Sequence, residues 1–183
     1  MTMVKTHPHD SSHRTTNASP QVPTYARWDF ARDRANSLTD PYRSPPIPVL
    51  EIAERNGVNV IFADFGQHSQ SVAGFCDFKN ARLYVNKEDR TERQFFTIAH
   101  EFGHWVLHRD VFLAHPDRYP VLPRFQNVDL HSPMEKEANY FAANLLVPER
   151  LLRPVITAPI ASLASIFRVS RTMMEHRVNN VRG

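Results

Sequence analysis

Apolar positions change period several times along this chain, and each change marks an element. Val49, Leu50, Ile52 and Ala53 have the spacing of one helical face, and Gly57 stands where such a helix would stop. Residues 58–62 are β-branched and apolar and predict a strand. Residues 72–78 and 82–86 predict two further strands joined by a tight turn at Lys79-Asn80. From Thr91 the period returns to that of a helix, and Thr91 with Gln94 matches the capping-box spacing for its start. At about 100° per residue, Phe95, Ile98, Ala99, Phe102, Trp105 and Val106 gather on one face, while His100, His104 and His108 gather on another.

Between residues 109 and 131 the periodicity is lost, and Pro116, Pro120 and Pro123 interrupt the chain. A long irregular stretch here is either a connector or a substrate-binding edge. A helix is expected again over residues 133–147, stopped by Pro148, with Ala138, Phe141, Ala142, Leu145 and Leu146 as its buried face. Two short helices, residues 160–167 and 170–180, end the chain. At the other end, residues 1–24 are polar, rich in Ser, Thr, His and Pro, and read as a disordered tail. His7, His9 and His13 in that tail are read as solvated rather than as a metal site. Residues 25–45 form a less defined extension, helical from about Tyr25 to Asp40 with Trp28, Phe30 and Leu38 as anchors, before the Pro-rich break at residues 41–48. Residues 46–183 are the expected folded domain.

Composition narrows the setting. A chain of 183 residues has room for one core-bearing domain. No apolar run is long enough to span a bilayer, and the N-terminus has no signal-peptide stretch. Cys76 is the sole cysteine, so no intrachain disulfide can form and a reducing, cytoplasmic compartment is expected. The formal charge of +3 permits nucleic-acid binding without demanding it, although Arg168, Arg171, Arg177 and Arg182 make the C-terminus locally basic.

The candidate chemistry lies at His100-Glu101-Phe102-Gly103-His104, an HExxH sequence inside the second long helix. Residues four apart on a helix project from one face, so both imidazoles can hold one Zn²⁺, with the adjacent carboxylate of Glu101 as general base for hydrolysis. A catalytic zinc normally takes a third protein ligand. Glu135, Glu137, His108, His115 and His131 are the downstream candidates. Glu135 borders the apolar face of the following helix, whereas Glu137 lies nearly opposite its centre, which favours Glu135. Asn139, one turn on, could orient a ligating histidine. Ser132-Pro133-Met134-Glu135 is also a capping box, in which Glu135 would reach back to the Ser132 amide instead. Glu137 is the fallback ligand, and otherwise a solvated charge. His108 is expected to flank the site or cap the helix, and Tyr140 and His108 are the candidates for an added oxyanion donor. Gly103 costs the helix about 1 kcal/mol relative to Ala, which suggests that something approaches it closely.

Two stretches also carry a family resemblance. Phe96-Thr97-Ile98-Ala99-His100-Glu101-Phe102-Gly103-His104, continuing to Leu107-His108, resembles the FTxAHExGHxxLH signature of the ImmA/IrrE metallopeptidases. Glu135-Lys136-Glu137-Ala138-Asn139-Tyr140-Phe141-Ala142-Ala143-Asn144-Leu145-Leu146-Val147-Pro148 resembles the family's ExEANxFAAxLLMP motif, with Val147 in place of the commoner Met. Gly74, Phe75, Asp77, Tyr84, Val85 and Asn86 are similar to the segment before the family's zinc helix. The resemblance spans about residues 46–180, and residues 1–45 have no counterpart in it. It implies a zincin-like α+β fold in which a small antiparallel sheet packs on the HExxH helix and on a second, ligand-bearing helix. It further implies Zn²⁺ on His100, His104 and Glu135, with Glu101 as catalytic base. Members typically cleave or bind a helix-turn-helix repressor, often in mobile elements, toxin–antitoxin pairs or stress responses.

The expected function is therefore a zinc endopeptidase acting on a DNA-binding regulator or antitoxin. A zinc-containing module that binds such a partner without cutting it is the second reading. The third is DNA binding: residues 163–170 resemble the first part of a helix-turn-helix, Ser170 could cap the next helix, and Arg171 and Arg177 could meet phosphates. Met173, Met174, Val178 and Val181 favour packing of that helix against the domain instead.

Overall fold

The computed structural model describes residues 20–116 and 132–183. The expectations for the tail histidines, for His131 and for most of the Pro-interrupted stretch fall outside them.

Helix α1 (Trp28–Thr39) precedes α2 (Val49–Arg55), and strands β1 (Asn59–Ala63), β2 (Gly74–Asp77) and β3 (Arg82–Asn86) follow. Helix α3 (Thr91–Ala114) carries the HExxH sequence, and α4 (Pro133–Leu146) carries the second motif. The short α5 (Glu149–Leu152) then leads to α6 (Ile160–Phe167) and α7 (Arg171–Arg182). The α+β class is as expected. Gly57 stops α2 with φ +82°, a left-handed conformation that favours glycine.

The sheet is mixed rather than antiparallel. Its order is β1-β3-β2, with β2 antiparallel to β3 and β1 parallel to it. Between β1 and β2 the chain makes a short 3-10 turn, Gly66–His68, so it does not fold straight back as a hairpin. The β2–β3 connection spans residues 78–81, longer than a turn at Lys79-Asn80. Asp77 organises it by accepting from the amides of Lys79 and Asn80, both at 3.1 Å. Period-2 alternation sends Leu83, Val85 and Cys76 into the core, while Tyr84 and Phe75 stack on the other face at 4.7 Å.

Helix α3 departs from expectation at both ends. Thr91 is its first helical residue, and the N-cap is Arg90, with no side-chain cap. Gln94 instead donates to the carbonyls of Asn86 and Lys87, tying the end of β3 to the start of the helix. At the far end α3 continues past His108 to Ala114, because Val111 and Phe112 are buried and Phe112 stacks on Phe78 at 4.3 Å.

Helix α4 packs against both α3 and α1. The α3–α4 contact is tight at Gly103, where an added Cβ would stand 2.9 Å from Phe141 Cδ1 and 3.3 Å from the Cα and carbonyl oxygen of Ala138. Glycine therefore lets the two backbones approach within reach of one shared site. Gly103→Ala should lower the urea midpoint without changing the slope. Overpacking costs about 1–3 kcal/mol, more than the ~1 kcal/mol of helix propensity that Ala adds. An unchanged or raised midpoint would contradict this close approach.

Candidate metal centre

Successive turns of α3 present His100 and His104, and the first turn of α4 presents Glu135. Their facing atoms form a small triangle. His100 Nε2 lies 3.1 Å from Glu135 Oε2, His104 Nε2 lies 3.1 Å from Glu135 Oε1, and the two Nε2 atoms are 3.2 Å apart. Ligand atoms about 2.0–2.1 Å from a tetrahedral zinc stand roughly 3.3 Å from one another. The three residues each offer one ligand atom, and all three atoms fall within 4.8 Å of one another. On spacing and donor type, this set fits a zinc ion.

The outer contacts fit as well. His100 Nδ1 lies 3.0 Å from Asn139 Oδ1, an oxygen that can only accept, so Nδ1 keeps the proton of the neutral ring and Nε2 is the nitrogen that ring offers to a metal. This is the orienting contact expected of Asn139. Ser132 Oγ accepts from the Glu135 amide at 3.3 Å, so one half of the capping box forms. The Glu135 carboxylate forms no second half, because it faces the histidines.

Burial and charge act together here. Burial pushes the His104 imidazole down to about 3 despite its contact with Glu135. Burial also opposes charging of His100, but the hydrogen bond to Glu135 and the negative charges of Glu101 and Glu135 outweigh it and hold that ring above its ordinary value. Glu135 is held well below the usual carboxylate range: the two histidines outweigh a burial that acts in the opposite direction. Glu101, half-buried beside His100, is thus in electrostatic reach of the triangle.

Glu137 differs from both roles first assigned to it. It is neither at the triangle nor solvated: its side chain is 0% exposed, with Oε2 2.9 Å from His108 Nε2 and 2.7 Å from Arg27 Nη2. The reading of α4 as having a single buried face fails because α1 covers its other side. Pairing with Arg27 and His108 outweighs burial and holds Glu137 down at about 2. His108 is buried one turn beyond His104, with 3.1 Å between their Nδ1 atoms, so it flanks the site. His115 meets the Pro20 carbonyl at 3.3 Å instead of joining the cluster. Tyr140 lies edge-on to Trp28 of α1 at 5.2 Å. Arg27 was not anticipated. It sits in a weakly patterned stretch, and no local motif pairs it with a glutamate 110 positions away.

The C-terminal pair has helix-turn-helix spacing, with Arg168 left-handed at φ 54° between α6 and α7 and Ser170 capping α7 through the Met173 amide. Three of its four arginines have partners within the fold. Arg177 is 3% exposed and donates to the Val147 carbonyl at 3.0 Å and to Asn144 Oδ1 at 2.8 Å, so it braces the end of α4 and cannot meet a phosphate. Arg171 pairs with Glu175, and Arg182 donates to the Ile156 carbonyl. Among the described residues, no helix is long and apolar enough to cross a membrane.

Comparison with known proteins bears on family and fold. A family model described as the IrrE N-terminal-like domain, Peptidase_M78, matches residues 53–179. No curated protein matches the sequence. A solved structure of similar fold is a Mycobacterium tuberculosis transcriptional regulator, 19% identical, with a TM-score of 0.59. The alignment covers 81% of this chain and 46% of that one, so the chain spans under half the length of that regulator.

Proposed function

Since the chain belongs to the IrrE N-terminal-like family of metallopeptidase-type domains, we propose that it is a zinc-dependent endopeptidase that cuts a DNA-binding regulator of the helix-turn-helix type. The observation that carries this reading is the convergence of His100, His104 and Glu135 on one point with Glu101 beside it. Two imidazole nitrogens and a carboxylate are the donor set of a hydrolytic zinc site that keeps its fourth position open.

When bound, zinc acidifies water, polarises the scissile carbonyl and stabilises the negative charge that develops on it. The chain supplies the rest. His100, His104 and Glu135 hold the ion at the α3–α4 junction. Glu101 takes the proton from the attacking water and later passes it to the leaving amine. Asn139 keeps the His100 ring turned so that its Nε2 faces inward.

The direct assay incubates the zinc-loaded protein with any helix-turn-helix regulator found encoded beside its gene and reads fragment masses. One discrete cut, abolished by a chelator and restored by zinc, is the expected result. An intact regulator bound stoichiometrically to the zinc-loaded protein would favour a binding module that does not cut.

A further inference from the structure

A chain of polar contacts, buried at His104, His108 and Glu137 and half-buried at its outer end, leads from His104 to a residue upstream of the matched family region. Glu137 Oε1 accepts from the Arg27 backbone amide at 2.8 Å and from Arg27 Nε at 2.9 Å. Its Oε2 accepts from Arg27 Nη2 at 2.7 Å and lies 2.9 Å from His108 Nε2. The Arg27 amide is also one of the donors left unpaired at the start of α1, where a carboxylate is favoured by the helix dipole. Both Glu137 oxygens are therefore occupied by donors.

The proton positions follow from donor and acceptor identity. An ionised carboxylate only accepts, so His108 Nε2 carries a proton, and the neutral ring is left with a bare Nδ1. That nitrogen lies 3.1 Å from His104 Nδ1. Two ring nitrogens at this distance share one proton, which then belongs to His104 Nδ1. The His104 lone pair is accordingly on Nε2, the atom that faces His100 and Glu135.

We propose that Arg27, Glu137 and His108 are positioning residues that fix His104 as its Nδ1–H tautomer and aim Nε2 at the metal, so that the N-terminal extension forms part of the metal centre. This rests on the reading of His100, His104 and Glu135 as zinc ligands. Asn139 performs the same task for His100 with a single side chain. For His104 the task takes three residues, drawn from the segment before α1, from α3 and from α4. Arg27 lies outside residues 53–179, so the outermost link is supplied by a part of this chain that the family model does not span.

The test uses the full chain with ¹⁵N-labelled histidine and one equivalent of zinc, read by long-range ¹H–¹⁵N correlation. His104 should carry its proton on Nδ1, and His108 on Nε2 with Nδ1 bare. Competition with a chromophoric chelator should show Glu137→Gln and Arg27→Met weakening zinc binding by about 10–100-fold, with Arg27→Met at the lower end. Arg27→Lys should recover part of the loss, because lysine restores the charge without the two-pronged fork. A proton on His108 Nδ1 in the zinc-loaded wild type would overturn the positioning chain and leave the metal centre standing. So would variants whose metal-free melting temperature falls while zinc affinity stays at the wild-type value. A wild type that binds no zinc would remove both readings. If Arg27→Met does not fold, the wild-type tautomers and Arg27→Lys decide the question.

Discussion

Glu101→Gln should slow peptide cleavage by about 10²–10⁴-fold while leaving zinc bound at one equivalent, which is the range contributed by a positioned general base. Glutamine keeps the size and much of the polarity of glutamate but cannot take up a proton at neutral pH. On the proposed mechanism the substitution therefore removes one chemical step and spares the proposed metal site, since Glu101 lies outside the triangle formed by His100, His104 and Glu135. Rates of fragment appearance under saturating substrate, with metal content measured on the same samples, make the comparison. Cleavage at the wild-type rate would eliminate Glu101 as the base. Loss of cleavage together with loss of zinc would mean that Glu101 holds the ion.

The second large effect is expected at Glu135. Glu135→Ala removes one of the three proposed donors and leaves His100 and His104 facing each other without a carboxylate. Zinc affinity should fall by more than the roughly 10–100-fold typical of a residue that only orients a ligand. Chelator competition measures this, and the variant should lose cleavage in proportion. Ser132 Oγ already accepts from the residue-135 amide, a main-chain contact that alanine retains, so α4 should still start in the same place. Glu137 is unsuited to act as a substitute, because its oxygens are held by Arg27 and His108. Unchanged affinity in Glu135→Ala would take Glu135 out of the site.

The elements read from periodicity are those dominated by local pattern. The helix period over α3 finds Ile98, Ala99 and Phe102 in the core, but His104 and His108 are buried as well, while Phe95, Trp105 and Val106 are only partly so. The apolar spacing of α4 places Glu135 at the edge that meets α3. Gly57 and Ser132 mark helix ends because backbone conformation and capping are local chemistry. The departures mostly involve partners outside the element concerned. The parallel pairing of β1 with β3 depends on the path taken by residues 64–73 and has no signature inside either strand. Gln94 has the spacing of a capping residue, yet it bonds to carbonyls at the end of β3.

Glu137 and Arg177 are the sharpest cases. Each is a charge that composition assigns to solvent, and each is buried because a partner from another element meets it: Arg27 and His108 for Glu137, Asn144 and the Val147 carbonyl for Arg177. Periodicity can tell that a face is polar. It cannot tell that a second helix will cover that face and pair its charge. The same blindness hid Arg27, which precedes a helix whose expected anchors Trp28 and Phe30 prove exposed while the small Ala31 and Ala35 are buried, and whose side chain reaches across to α4.

The central claim is that two imidazoles and one carboxylate of this chain hold a single zinc ion. X-ray absorption at the zinc edge, on the wild-type protein loaded with one equivalent, tests it most directly. The account predicts a four-coordinate shell of nitrogen and oxygen at about 2.0–2.2 Å containing two imidazoles. A shell with fewer than two imidazoles, or zinc that washes away before it can be measured, would contradict it.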